Sequence, residues 1–211
     1  FRHDWPGLRA LVAPRGVLSW SPKSAIGFEP FVRVAAQAGA PESEVAYFLG
    51  DAEPAGQLGL RAGGYFVTTL HRPANVDSGE RFARLIAAIG EGTRGMPVVF
   101  PVHPRTAKTL REVGGLPANI RLVEPQPYLE FNHLVRHAKG VITDSGGITE
   151  ETTVMGVPCL TLRDSTERPE TVSMGTNELI GTDPARLAPA LERLFAGQWK
   201  QGRVPPLWDG K

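Results

Sequence analysis

A dense group of side chains that could do chemistry lies between residues 140 and 170. Asp144-Ser145-Gly146-Gly147 follow the β-branched run Val141 to Thr143 and precede a helix-like segment. Free backbone N–H groups at a helix start favour negative charge, and glycine lets an anion approach them closely. Arg168 follows a second strand-like run, Cys159 to Leu162, and its guanidinium can hold a phosphate through two hydrogen bonds. Paired glycines also form ordinary tight turns, but the whole pattern favours an anion-binding site.

Two histidines follow strand-like runs further upstream. His71, with Arg72 beside it, comes directly after the run that ends at Leu70. His103 lies between Pro101 and Pro104 at the end of the next run. The carboxyl ends of parallel strands form the ligand-binding edge of an α/β sheet, so we expect His71 there. His103 could contact a ligand or belong to a rigid proline turn, and the sequence leaves both interpretations open.

Metal and thiol chemistry have weaker support. His133 and His137 are four residues apart on a predicted helix, a spacing that can bind metal, but no third ligand is apparent. We therefore expect no metal site. Cys159, the single cysteine, lies in an apolar run and cannot form an internal disulfide. A buried structural thiol in a reducing compartment is the preferred interpretation.

The elements that would position these residues alternate regularly from residue 65 onward. The predicted strands are Tyr65–Leu70, Val98–Val102, Ile120–Val123, Val141–Thr143, Cys159–Leu162 and Glu178–Ile180. The predicted helices are Gly79–Ile89, Thr106–Val113, Tyr128–His137, Ile148–Met155, Pro169–Ser173 and Pro184–Phe195. This alternation predicts an α/β fold, a Rossmann-like parallel sheet with helices on both faces.

Residues 1–64 are less regular, and we expect an N-terminal appendage there, followed by one Rossmann-like domain over 65–211. Val17 to Trp20 could form a strand, while Ser24 to Gly39 and Glu44 to Leu49 have the spacing of helices. Ala52 to Gly64 contains glycines and proline and is predicted to be a linker.

Composition excludes several classes of function. The chain has 211 residues, 41% of them hydrophobic, which is enough for a substantial core. A net charge of +1 argues against nucleic acid or an anionic membrane surface as the main partner. No apolar run has the length of a membrane span, and the first residues lack a signal-peptide pattern, so we expect a cytoplasmic protein.

Several motifs occur in an order that resembles a known family. They are Thr69–Pro73, Pro101–Pro104, Glu124–Phe131, TDSGGITEE at 143–151, GVPCLTLRDSTERPE at 156–170, Gly175–Asn177, Gly181–Asp183 and Pro205–Lys211. The set closely resembles the non-hydrolysing UDP-N-acetylglucosamine 2-epimerases. This resemblance implies the C-terminal, nucleotide-sugar-binding half of a two-domain GT-B fold. It also implies interconversion of UDP-N-acetylglucosamine and UDP-N-acetylmannosamine by elimination and re-addition of UDP, without NAD and without an obligatory metal.

The resemblance also implies roles for individual residues. His71 would lie against the diphosphate and the reacting sugar and help UDP depart. Ser145–Gly147 and Arg168 would bind phosphate, Glu151 would accept both ribose hydroxyls, and Phe131 would lie beside the uracil. The implied substrate-binding residues are Arg72, His103, Phe131, Ser145, Gly146, Gly147, Glu151 and Arg168. Glu150, on another face of its helix, is expected to be solvated.

The sequence departs from the family pattern in two ways. Ala74 stands where the family often has an acidic residue, and residues 1–64 contain none of the motifs of the family's carboxylate-bearing first domain. Carboxylates for acid–base chemistry would then come from a second subunit of a homo-oligomer or from Asp144, Asp164, Glu167 and Glu170. A UDP-sugar-binding module without independent catalysis is the alternative, and a glycosyltransferase half-domain is a third hypothesis.

Overall fold

A six-stranded parallel sheet forms the centre of the residues that the structure describes, which are 58–113, 115–206 and 208 of a computed structural model. The strands are β1 (Phe66–Thr69), β2 (Val98–Pro101), β3 (Ile120–Val123), β4 (Gly140–Thr143), β5 (Cys159–Thr161) and β6 (Asn177–Leu179). Each differs from its predicted bounds by no more than one residue at either end. The strand and the two helices predicted before residue 50 lie outside the described residues.

Helices connect these strands. They are α1 (Pro73–Val76), α2 (Gly79–Gly92), α3 (Pro104–Glu112), α4 (Tyr128–Arg136), α5 (Gly146–Met155), α6 (Pro169–Ser173), a 3₁₀ turn (Pro184–Arg186) and α7 (Leu187–Phe195). The prediction omitted α1, which is too short for a helical apolar pattern. It also began α5 at Ile148, whereas the helix starts at Gly146, so the paired glycines belong to its first turn.

The strand order is β3-β2-β1-β4-β5-β6, and every pair of neighbours is parallel. The chain therefore builds one half of the sheet outward from β1 and then returns to place β4 on the other side of β1. Loops leaving β1 and β4 turn toward opposite faces, which opens a crevice at the carboxyl ends of these two strands. The α/β, Rossmann-like prediction is confirmed.

Hydrophobic side chains cover both faces of the sheet. Successive strand residues alternate between the faces, so Phe66 of β1 joins one buried cluster and Val67 the other. The first cluster includes Phe82 of α2 and Leu191 of α7, and the second includes Leu134 of α4. The carboxyl edge of the sheet is thus held by packing on two sides.

Gly175 lies where α5 and α6 pack against each other. A Cβ at this position would overlap the Thr153 hydroxyl of α5 and come within 2.6 Å of the Thr171 carbonyl oxygen of α6. Because backbone cannot move aside easily, the close approach of these two helices requires glycine here.

We predict that Gly175→Ala lowers the free energy of unfolding by about 1–3 kcal/mol, the usual cost of overpacking. Gly79→Ala is the matched control, because a Cβ on Gly79 would meet nothing within 4 Å. Urea denaturation of the two variants and the wild type measures the difference. Equal stability of the two variants would contradict the packing argument.

Candidate functional site

The carboxyl ends of β1 and β4 bring together the two regions that the sequence singled out. Thr69 and Thr143 are register partners, and their hydroxyl oxygens are 2.6 Å apart. His71 follows the first strand, and Asp144 follows the second. The backbone N–H of Ser145 donates to the Thr143 hydroxyl oxygen at 3.0 Å, which fixes the turn into α5. The predicted edge site is therefore assembled across one strand pair.

Asp144 is the most highly connected group in this crevice. Its carboxylate is fully buried and accepts hydrogen bonds from the backbone N–H groups of His71 and Arg72 and from the Asn75 amide. His71 Nδ1 lies 2.9 Å from Asp144 Oδ1. Burial raises the pKa of Asp144, but hydrogen bonds from His71, Arg72 and Asn75 outweigh it and hold the pKa below its ordinary value.

The start of α5 is open and has the geometry expected of an anion-binding surface. Ser145 is the N-cap residue, and its side chain makes no capping hydrogen bond. The first N–H groups of a helix have no partner within the helix and can donate to a ligand. A Cβ on Gly147 would meet nothing within 4 Å, so there is open space beside this first turn.

Arginine side chains surround the same helix start. Arg163 is buried and donates two hydrogen bonds to Glu167, at 2.7 and 2.6 Å. Arg72 Nη2 lies 3.7 Å from the same carboxylate. Hydrogen bonds from Arg163 lower the pKa of Glu167 to about 2. A Cβ on Gly146 would be 3.5 Å from Arg163 Nη1 and Glu167 Oε2, so this ion pair borders the helix start.

Arg168 is held by Glu150, and this corrects the prediction that Glu150 is solvated. The Glu150 side chain is buried, and its Oε1 accepts a hydrogen bond from Arg168 Nε at 2.6 Å. The prediction treated α5 as having one buried face, whereas the helix packs against β5, α4 and α6. Arg168 itself is half exposed, so its remaining donors can reach a ligand.

Glu151 lies next to Glu150 and is also buried. Burial raises the pKa of its carboxyl to about 7; the Tyr128 side chain acts in the opposite direction, and the charge of Glu150 raises it further. Burial, and then the charge of Glu151, raises the pKa of Tyr128. Tyr128 opens α4, so this pair connects the helices on one face of the sheet.

The other predicted residues lie in different surroundings. The ring centroids of His71 and His103 are 6.2 Å apart, so both histidines lie at the same edge. Phe131 of α4 is partly buried and packs against the second hydrophobic cluster. The rings of His133 and His137 contact each other at 4.4 Å, and the described residues contain no group of three or more potential metal ligands.

Cys159 is buried in β5, and burial raises the pKa of its thiol to about 11. A thiol with so high a pKa is a poor nucleophile at neutral pH. The geometry therefore agrees with the structural role expected from the sequence.

Three residues of the site were missed by sequence reasoning: Arg163, Asn75 and Tyr128. Arg163 directly follows a buried strand, which was a usable signal, but its partner became visible only in the fold. Asn75 donates to Asp144 and to the Leu162 carbonyl oxygen, so its role depends on contacts across nearly ninety residues. Tyr128 lies within the Glu124–Phe131 motif, but its nearness to Glu151 follows from the packing of α4 on α5.

Comparison with known proteins identifies relatives of this chain. A family model described as UDP-N-acetylglucosamine 2-epimerase matches residues 42–211. The UDP-N-acetylglucosamine 2-epimerase of Methanocaldococcus jannaschii is 42% identical over 156 residues, which are 70% of this chain and 42% of the relative. The enzyme of that name from Salmonella typhimurium is 39% identical over 61% of this chain and 35% of its own length.

Solved structures give the same result. The M. jannaschii UDP-GlcNAc 2-epimerase in complex with UDP-GlcNAc and UDP aligns with a TM-score of 0.61 and 34% identity, over 86% of this chain and 51% of that one. The Neisseria meningitidis enzyme bound to UDP-GlcNAc aligns with a TM-score of 0.65 and 25% identity, again over 86% and 50%. The chain thus spans about half the length of these structures, as expected for one half of a GT-B fold.

No helix within the described residues has the length and apolar character needed to cross a membrane.

The raised pKa of Glu151 predicts a pH dependence of stability. A folded-state pKa of about 7 exceeds the ordinary value of about 4.3, so the folded protein binds this proton more tightly than the unfolded chain. The resulting stabilisation is complete below about pH 4.3 and is lost as the pH rises through about 7, a loss of about 4 kcal/mol. Glu151→Gln should remove this slope in urea denaturation between pH 5 and pH 8.

Glu167→Gln is the matched control for that measurement. The pKa of Glu167 is about 2, so its contribution to stability is present above its ordinary pKa and is lost only in more acidic solution. Its variant should keep the wild-type slope between pH 5 and pH 8. A wild-type slope in Glu151→Gln would mean that Glu151 ionises normally in the folded protein.

Proposed function

We propose that this chain, which belongs to the UDP-N-acetylglucosamine 2-epimerase family, interconverts UDP-N-acetylglucosamine and UDP-N-acetylmannosamine. The observation that supports this most directly is the meeting of His71, the start of α5 and three arginines at the β1–β4 crevice. Such a site suits a ligand with two adjacent phosphates. The relatives with this activity are longer, so the assignment to this chain is a proposal.

The diphosphate would bind at the first turn of α5. The backbone N–H groups of Gly146 and Gly147 and the hydroxyl of Ser145 would donate to its oxygens, and Arg168 would add charge-assisted hydrogen bonds. Arg72 lies on the other side of the crevice and would complete the positive surface. His103 would lie beside His71 at the outer edge.

The uridine would extend from the diphosphate along α5 toward α4. Glu151 lies about one and a half turns into α5 and would accept hydrogen bonds from the ribose hydroxyls. Accepting two hydrogen bonds favours the ionised carboxylate, so nucleotide binding would release a proton from Glu151. Phe131, on the neighbouring helix, offers an aromatic surface for the uracil ring.

The reaction would proceed by elimination and re-addition. A base takes the proton from C2 of the sugar, and the bond between C1 and the phosphate oxygen breaks with its electron pair on UDP. UDP then adds back to C1 of the glycal intermediate, while C2 receives a proton on the opposite face. No net oxidation occurs, so the scheme requires no nicotinamide. His71 would stabilise or protonate the departing phosphate oxygen, where negative charge develops.

The group that removes the C2 proton would come from outside the crevice. Asp144 is fully buried and surrounded by donors, and Glu167 is tied to Arg163 by two hydrogen bonds. Asp164 is exposed, and its carboxylate accepts a hydrogen bond from the Thr182 hydroxyl, in the segment after β6. We propose that a second domain or a second subunit supplies this group, and that residues 65–211 form the nucleotide-binding unit.

The nucleotide site predicts a graded loss of UDP affinity. Arg168→Ala and Glu151→Ala should each weaken UDP binding by about 1.5–3 kcal/mol, the range for hydrogen bonds to charged groups. Glu150→Gln should cause a smaller loss, because the guanidinium of Arg168 remains but is no longer held by a carboxylate. Calorimetric titration measures all three.

Arg193→Ala is the control, because Arg193 is a half-exposed arginine of α7 that pairs with Glu178 away from the crevice. It should bind UDP as the wild type does. Unchanged affinity in both Arg168→Ala and Glu151→Ala would place the nucleotide elsewhere.

Exchange of the sugar's C2 proton in deuterated water tests the activity itself. The wild-type chain should incorporate deuterium into UDP-N-acetylglucosamine. His71→Asn should lower kcat while leaving UDP affinity within about threefold, because leaving-group charge develops in the transition state.

A site shared between two subunits is tested by measuring specific activity against protein concentration, with light scattering to follow association. Absence of exchange despite UDP binding would favour a binding module over an enzyme.

A further inference from the structure

We propose that Asp144 is a positioning residue that holds a proton on Nδ1 of His71 in both the neutral and the protonated ring, so that Nε2 faces the ligand and, in the protonated ring, donates to the departing phosphate. The named ligand, a nucleoside diphosphate sugar, rests on the proposed function. The orientation of the ring rests only on contacts within this chain. The role is distinct from phosphate binding, because the buried carboxylate has no exposed surface with which to contact a ligand.

The two carboxylate oxygens of Asp144 share one hydrogen-bond donor and otherwise have different partners. Oδ1 faces the imidazole, with Nδ1 at 2.9 Å, and also accepts from the His71 backbone N–H at 3.1 Å. Oδ2 accepts from the backbone N–H of Arg72 at 2.9 Å, from the Asn75 amide at 3.1 Å and from the His71 backbone N–H at 3.1 Å. A carboxylate accepts only, so His71 Nδ1 must be the donor in this contact.

The same contacts fix where the ring lies. The backbone N–H and the ring of His71 both bind one side chain, which restricts both the backbone turn and the side-chain torsions. Arg72 Nε also donates to the Asp144 carbonyl oxygen at 3.1 Å, so the segments after β1 and β4 are joined twice. With Nδ1 engaged on the buried side, the partly exposed edge of the ring presents Nε2.

Complete burial explains why Asp144 serves His71 rather than the substrate. Its side chain has no exposed surface, whereas the His71 side chain is 41% exposed. A buried carboxylate is stable only when donors compensate its charge, and His71, Arg72 and Asn75 supply donors to its two oxygens. It therefore has no free oxygen with which to take a proton from a sugar.

An amide cannot reproduce this arrangement. In Asp144→Asn one of the two oxygens becomes an NH₂ group, which must face either the imidazole or the N–H groups that Oδ2 accepts. If the NH₂ faces the ring, Nδ1 must become an acceptor and the proton must move to Nε2. If it faces the backbone, Arg72 N–H and the Asn75 amide lose their acceptor, and the turn after β1 loosens.

Nitrogen-15 NMR of the imidazole tests the tautomer directly, with His71→Gln used for assignment. Spectra are recorded on the full chain, at a pH where the ring is neutral. In the wild type His71 should show a protonated Nδ1, and in Asp144→Asn the proton should shift to Nε2 or become divided between the two nitrogens. Asn75→Ala is the matched control, because it removes a partner of Oδ2 and leaves the contact between Oδ1 and the ring. It should keep the wild-type tautomer.

A wild-type His71 with its proton on Nε2 would overturn the proposal, and this holds even if Asp144→Asn does not fold. Asp144→Ala leaves Nδ1 without this acceptor, and an unchanged tautomer in that variant, when folded, would overturn the proposal as well. For turnover we expect Asp144→Asn to lower kcat by about 10- to 100-fold, a part of what a proton-transfer group contributes, with UDP affinity within about threefold. A loss of UDP affinity as large as the loss of kcat would contradict the proposal, because it would indicate a purely structural role for Asp144.

The proposed function can fail separately. If the wild-type chain exchanges no C2 proton, the epimerase assignment to this chain falls, whereas the tautomer measurement still decides the role of Asp144.

Discussion

The burial of the Asp144 charge is the constraint on which the site depends. A carboxylate without exposed surface costs several kcal/mol unless donors surround it, and at this position the donors come from residues 71–75 of a different loop. The turn after β1 therefore has to fold back over the end of β4. These hydrogen bonds hold His71 in the crevice and fix the backbone of Arg72, the residue that directly precedes α1.

The positive side of the site is organised by carboxylates in the same way. Glu167 holds the buried Arg163 in a two-bonded pair, and Glu150 holds Arg168 through its Nε. A guanidinium that is already fixed loses less side-chain entropy when an anion binds, which favours affinity. The cost is that acidic groups lie close together: burial raises the pKa of Glu151, and the charge of the neighbouring Glu150 raises it further.

The sequence predicted the strands, most helices and the edge of the sheet because periodicity and composition act locally. The crevice could not be predicted in the same way, since strand order decides that β1 and β4 are neighbours. Glu150 shows the limit most clearly: one turn of helix cannot reveal that α5 is buried on several sides. Asn75 is similar, because a short helix after a proline gives no sign that its amide reaches both Asp144 and Leu162.

The proposed reaction also defines what a single sheet edge can supply. In the proposed reaction, His71, the start of α5 and the arginines would all act on the leaving diphosphate from the side of the sheet. Epimerisation at C2 removes a proton from one face of the sugar and returns one to the other, so acid–base groups have to flank the ring on two sides. The glycal intermediate also has to be shielded from water. A second domain or subunit that closes over the carboxyl ends of β1 and β4 would meet both needs, and this chain aligns with only about half of each of the two solved structures.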